Sequence, residues 1–189
     1  GKSLFAEKSF RQALAYAIKK EAGPQRAFGP LNPTSWAYSN EIKTYDYDLE
    51  NAQKLFNKSF EESNKPISIK IQTISSLLKE AEIIQKSWEK LGLKVQIGAF
   101  FSPENDFDVL LAIQEIPQDP DQYNLWHSTQ DSNITRLKNP RIDKLLEDGR
   151  KTIDKQAREN IYFDFQRFLV EEVPVIFLYY PTFYEISRI

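Results

Sequence analysis

The sequence predicts an α/β domain: a mixed sheet flanked by helices and containing a βαβ unit. Three observations carry that reading. Residues 67–73, "ISIKIQT", alternate apolar and polar side chains as a half-buried strand does. Leu77, Ala81, Ile84, Trp88 and Leu91 then recur at spacings of four and three on one helical face, and Gly92 stops that helix. Residues 93–99, "LKVQIGA", alternate again. Strand, helix and strand within about thirty residues make a βαβ unit, a crossover that is almost always right-handed.

The other elements follow from local chemistry. Phe10, Leu14, Ala17 and Ile18 share a face within "SFRQALAYAIKKEAG", a helix that Gly23-Pro24 is expected to end. Residues 23–46 carry three prolines, two glycines, Trp36 and two tyrosines with little periodicity. That composition predicts a long ordered loop, and such loops are uncommon unless they serve a function. Asp48 stands where an N-cap would for "LENAQKLFNKSF". After the βαβ unit, "FDVLLAIQEI" predicts a third strand, apolar enough to be central.

Asn139-Pro140 supplies an N-cap and an N1 proline for "RIDKLLEDGR", and Asp154 caps "KQARENIYFDFQRFLVEE". "VPVIFLYY" reads as a buried strand, and "TFYEISRI" after Pro181 as a candidate for another. With no internal repeat and no low-complexity tract, residues 1–189 read as one α/β unit.

Composition excludes several functions. The 25 basic and 27 acidic residues nearly balance and form no block of one sign, which argues against nucleic acid or an anionic membrane as the main partner. Cysteine is absent, so disulfide frameworks and thiolate chemistry are excluded. No apolar run approaches the ~20 residues of a membrane span. No signal peptide is visible, methionine is absent and the chain opens on Gly1-Lys2-Ser3. It is therefore expected to begin after processing or to be an excised piece of something longer. Most of the 13 Phe, 9 Tyr and 3 Trp are expected in the core, and a surplus can line a pocket for organic ligands.

The stretch "DPDQYNLWHSTQ", residues 119–130, concentrates the polar chemistry. His127 and Ser128 are adjacent, so their side chains diverge and form no nucleophile–base pair, and no Gly-x-Ser-x-Gly elbow exists. A metal loop drawn from Asp119, Asp121, Asp131 and Glu115 fails the EF-hand pattern, since Tyr123, Asn124 and Gln130 occupy its fifth, sixth and twelfth positions. A capping role has a mechanism. Asp119 followed by Pro120 has the grammar of N-cap and N1, with Asp121 favoured in the first turn. A short helix "QYNLWHS" then hangs from the strand end at Ile116, where open α/β sheets form ligand crevices. The acids build this corner, and Trp126 or its neighbours face the cleft. Trp88 belongs to the apolar stripe. Trp36 lies outside any stripe, so pocket lining and packing both remain open for it.

Taken in order, "FRQALAYAI", "P-x-x-W-A-Y", "YDYDLENAQKLF", "EAEIIQKSWEKLGLKVQI", "FDVLL", "DPDQYNLWHS" and the run from Asn139 to Tyr180 resemble the C-terminal half of the family 5 extracellular solute-binding proteins. These receptors feed oligopeptides, dipeptides, nickel chelates and some sugars to ABC importers. The resemblance implies a periplasmic-binding-protein-like lobe, one of two that close on a ligand, and binding without catalysis. It implies as partners a peptide or other small organic solute, an importer permease and the missing N-terminal lobe, with no nucleic acid. It implies no cofactor, a monomer, and an extracytoplasmic location, either periplasmic or as a cell-surface lipoprotein.

The candidate ligand-binding residues are Trp36 and Tyr38 on the loop, Gln114 and Glu115 before the corner, and Trp126 and His127 within it. Peptide-binding members of the family tend to carry a tryptophan and an aspartate where this sequence has Ile113 and Ile116. Glu115 is adjacent to that aspartate position and faces the other way along a strand. The ligand is therefore open between peptide, glycan, modified peptide and another solute. Two other classes compete: an enzyme, a transferase or hydrolase using Asp119 and Asp121, and a sensory module not linked to uptake.

Overall fold

The computed structural model describes residues 4–20, 25–59, 67–99 and 107–182. They gather into two compact units, Gly1–Lys19 with Tyr45–Glu115 and Lys20–Thr44 with Ile116–Ile189. Both are discontinuous in sequence.

The first unit begins with α1, Lys8–Ala17. It ends earlier than expected, because Ile18 turns to extended backbone (φ −86°, ψ 121°). In that conformation Ile18 is buried alongside Phe10, Leu14 and Ala17. Gly23-Pro24 lies outside the described residues. α2, Leu49–Lys58, starts where the cap predicts: the Asp48 carboxylate accepts from Asn51 N at 2.9 Å. Phe10 meets Phe56 across the two helices, with ring centroids 6.1 Å apart.

The βαβ unit forms as predicted. β1 (Ser68–Thr73) leads through α3 (Leu78–Glu89) to β2 (Lys94–Ala99), and the two strands pair in parallel with Ile69 opposite Val95 and Ile71 opposite Ile97. Leu77, Ala81, Ile84, Trp88 and Leu91 are all buried. Gly92 takes a φ of 87°, the left-handed backbone that favours glycine after a helix. The Trp88 indole N–H donates to Leu14 O at 3.0 Å, tying α3 to the end of α1.

The third strand departs from expectation. β3 spans only Val109–Leu111, pairs in parallel with β1 and stands at an edge of the order β2-β1-β3. Among the described strands the central one is β1, where Ile69, Ile71 and Thr73 are fully buried, while β3 is half-buried. Apolar content marks a strand but does not say how many neighbours it has.

The second unit contains α4 (Tyr123–Trp126), α5 (Pro140–Lys151) and α6 (Lys155–Glu172). Asn139 accepts from Arg141 N and Ile142 N, and Asp154 from Ala157 N, as their capping positions predict. α5 and α6 meet through Ile142, Leu146, Tyr162, Phe165 and Leu169, all fully buried. Gly149 permits the closest approach, since a β-carbon there would lie 2.8 Å from the Tyr162 ring. Val173 ends α6 in the left-handed region (φ 50°) and is buried.

The predicted strand "VPVIFLYY" is not one. It is a half-buried extended tail joined to residues 25–27 by a single antiparallel bridge, Arg26 with Tyr179, and Ala27 N donates to Leu178 O. Most of "TFYEISRI" lies outside the described residues. No described helix is long and apolar enough to cross a membrane.

Gly149→Ala is expected to cost about 1–3 kcal/mol through overpacking against Tyr162. Urea denaturation checks it, and an unchanged midpoint would show that the tyrosine swings aside freely.

Candidate functional site

Residues 25–44 cross the second unit with no helix and no strand beyond the single bridge. A backbone in that state needs side-chain partners wherever it is buried. Two buried glutamines supply them. Gln166 donates to Ala37 O at 2.8 Å and to Tyr162 O at 2.9 Å, and its Oε1 accepts from Ser39 N at 3.2 Å. Gln122 donates to Pro30 O at 2.6 Å and accepts from the Trp126 indole at 2.7 Å. Tyr180 Oη donates to Leu31 O at 2.8 Å, and burial pushes that phenol up to about 12.

This scaffold presents Trp36 and Tyr38 on either side of the clamped Ala37. Trp36 is half-buried and meets Tyr162 edge-on at 6.4 Å, with the Arg158 guanidinium and the Lys155 ammonium 5.5 and 5.6 Å from its ring centroid. Tyr38 lines a half-open surface pocket of about 230 Å³ with Phe28, Asn40, Ile42 and Thr44. Burial raises its pKa, so it remains a neutral phenol at ordinary pH.

The corner is organised differently from its predicted cap. α4 begins only at Tyr123, after Gln122, which makes no side-chain cap. Asp119 accepts from Asp121 N at 2.9 Å, and Asp121 accepts from Tyr123 N at 3.0 Å, so two successive turns replace a helix start. The remaining contacts of these acids go to arginine. Arg158 grips Asp119 with two nitrogens at 2.7 and 3.1 Å, and Arg150 Nε reaches Asp121 at 2.7 Å. The Arg158 hydrogen bonds hold the Asp119 carboxyl below its usual range. Both acids act here as anchors onto α5 and α6.

His127 and Trp126 are interior residues of the second unit. The Trp126 ring is buried in its core rather than turned to a cleft, because the indole nitrogen finds its acceptor in Gln122. His127 is stacked on Tyr123 at 4.1 Å and bonds Thr129 Oγ1 through Nδ1 at 2.8 Å, with Glu147 3.5 Å from Nε2. Ser128 turns instead to Asp143, donating through N and Oγ at 2.8 and 2.6 Å. The divergence of the histidine and serine predicted from their adjacency is therefore observed.

Trp36, Tyr38 and Trp126 all pack against one core cluster, and Tyr123 joins His127 to it. Gln114 and Glu115 belong to the first unit. Both are exposed beyond β3, with Gln114 Nε2 donating to Glu115 O at 2.9 Å, and Ile113 beside them is also exposed.

Sequence reasoning missed Gln122, Gln166 and Arg158. Gln166 had a signal: it falls on the stripe of Tyr162, Phe165 and Leu169, where a polar residue must find partners. Arg158 had a weaker one, a cation in the first turn of a helix, where the dipole disfavours it.

The sequence model of the bacterial extracellular solute-binding proteins, family 5, matches residues 1–135. The chain belongs to that family. The oligopeptide-binding protein AppA of Bacillus subtilis is 25% identical over 95% of this chain and 39% of its own length. Its structure with a nonapeptide superposes with a TM-score of 0.84, over 95% of this chain and 43% of that one. The Helicobacter pylori periplasmic binding protein DppA, in complex with a peptide, is 26% identical with a TM-score of 0.83, over 95% and 40% of the two chains. NikZ of Campylobacter jejuni, in complex with Ni(L-His), is 27% identical with a TM-score of 0.79, over 95% and 43%. The chain thus spans about two fifths of the length of the relatives it matches.

Two substitutions test the anchors. Asp119→Ala loses a pair that is half exposed, so about 0–1 kcal/mol is expected at pH 7. Because the folded pKa is depressed, that contribution is present above the unfolded carboxylate value and is lost as pH falls through the folded one. The gap between wild type and mutant should therefore close below about pH 4, read from denaturation midpoints at pH 7 and pH 3. Gln166→Leu should cost more, about 1–3 kcal/mol at either pH, because it leaves buried backbone groups unpaired.

Proposed function

We propose that the chain is the second lobe of an extracytoplasmic solute-binding protein that grips a peptide or related small solute between two lobes and delivers it to the permease of an ABC importer. The observation that carries this reading is the likeness to AppA: nearly the whole chain aligns, on less than half of a peptide-holding receptor. In this reading residues 1–189 form one lobe, the rest of the protein supplies the other, and the receptor works as a monomer outside the cytoplasm, whether free or lipid-anchored.

The lobe is a binding element without catalysis. The two acids that a hydrolase or transferase would need are engaged with Arg158 and Arg150. Trp36 and Tyr38 on the clamped segment, and Gln114 and Glu115 beyond β3, are the side chains assigned to the solute. Trp126 supports Trp36 and Tyr38 from the core cluster that they share, and His127 is buried against Tyr123. Ile113 presents an exposed apolar surface where peptide-binding members tend to carry tryptophan, which keeps related solutes beside peptides as the cargo.

Native mass spectrometry of the full-length protein should show a copurifying small solute, and an empty receptor that binds neither peptide nor glycan libraries would refute the reading. The 189-residue chain should bind that solute far more weakly. A clamped ligand has ~70–90% of its surface buried, and one lobe covers only part of it. A receptor binding at about 1 μM has about 8 kcal/mol available, and half of that is millimolar. Calorimetry decides, since micromolar binding to the chain alone would contradict a half-clamp. In the full-length protein, Trp36→Ala should weaken binding more than it lowers Tm; the reverse outcome would make Trp36 a structural residue.

A further inference from the structure

Two of the three tryptophans are fixed through their indole N–H groups. Trp88 donates to Leu14 O at 3.0 Å and Trp126 to Gln122 Oε1 at 2.7 Å. The Trp36 indole donates to no described residue. Gln166 fixes the backbone beside it at Ala37 O, which leaves rotation about the Trp36 side-chain bonds undecided. This half-buried ring is oriented instead by its edge-on contact with Tyr162 and by two cations, Arg158 and Lys155.

The cations differ in how firmly they are held. Lys155 is exposed and pairs with no described acid, so its ammonium is free to leave the ring. The Arg158 guanidinium is anchored at two acceptors. Nη1 and Nη2 reach the Asp119 carboxylate at 3.1 and 2.7 Å, and Nε donates to Gly149 O at 2.8 Å. A planar fork committed to two acceptors takes one orientation, and an aromatic ring attracted to it is held in turn. We propose that Arg158, locked by Asp119, is a positioning residue for solute binding: it sets the orientation of the Trp36 ring and does not itself touch the solute. The inference rests on the receptor reading and on the role assigned there to Trp36, and it goes further by naming what orients that ring.

Fluorine NMR of the full-length protein labelled with 5-fluorotryptophan tests it, the Trp36 resonance being identified by its absence in Trp36→Phe. Arg158→Gln and Asp119→Asn should each move that resonance and leave Trp88, in the first unit, unchanged. The double variant should move it no further than Arg158→Gln alone, because the two side chains act as one device. Loss of the copurified solute, timed by native mass spectrometry, should quicken roughly 2- to 10-fold in Arg158→Gln, the worth of one partly exposed cation–π contact. In a Trp36→Ala background the same substitution should change that rate far less. A Trp36 resonance unmoved by both substitutions would overturn the proposal, and so would equal quickening with and without Trp36. Should Arg158→Gln fail to fold, Asp119→Asn, which breaks only a half-exposed pair, carries both readouts. A wild-type protein that carries no solute would instead sink the receptor reading, while the fluorine resonance still decides whether Arg158 orients Trp36.

Discussion

A buried stretch of backbone with neither helix nor strand must bond to something, and in the second unit that requirement falls on Gln166 and Gln122. Segment 25–44 could not lie against α6 without them, because its carbonyls and amides would be stripped of water with no replacement. Gln166 answers at Ala37 O and Ser39 N and Gln122 at Pro30 O, and both side chains are almost wholly buried. The consequences run outward. The positions of Trp36 and Tyr38, the wall of the pocket and the buried state of Trp126 all follow from where these two amides can reach. A side-chain amide suits the task because it donates and accepts at once without carrying charge.

The corner at residues 119–129 shows a second form of the same economy. Four polar contacts fasten it to α5 and α6: Asp119 with Arg158, Asp121 with Arg150, His127 beside Glu147, and Ser128 with Asp143. Those involving charge are part-exposed, so each is worth little in stability. Their value is geometric. Arg158 also donates to Gly149 O at 2.8 Å and lies against the rings of Trp36 and Tyr162, so one guanidinium registers the corner, both helices and the loop.

The family relationship fits this distribution of roles. Only about a quarter of the residues are shared with AppA, yet the backbones superpose with a TM-score of 0.84. Features that set backbone path are the ones a short pattern reveals: capping acids, the glycine after α3, the apolar stripe containing Trp88. Ile113, Gln114 and Tyr38 lie at exposed or half-buried positions, where packing places few demands on the residue and short patterns carry no signal.

The sequence by itself determined the α/β class, the βαβ unit with its parallel pairing, and the starts of α2, α5 and α6. Each rests on interactions between residues a few positions apart: a side chain capping an amide three residues on, or an apolar face repeating every three or four. Tertiary structure decided the rest. α1 ends at Ala17 although Ile18 continues its apolar face, and β3 is a short edge strand because strand order depends on partners far away in the chain. "VPVIFLYY" became an extended tail with one bridge, although its apolar composition is that of a strand. The acids of "DPDQYNLWHSTQ" looked like caps because the arginines that bind them stand 29 and 39 residues away. Local patterns report the energies of neighbours in sequence, whereas burial and ion pairing are set by neighbours in space, and only the folded chain brings Gln166 to Ala37 or Arg158 to Asp119.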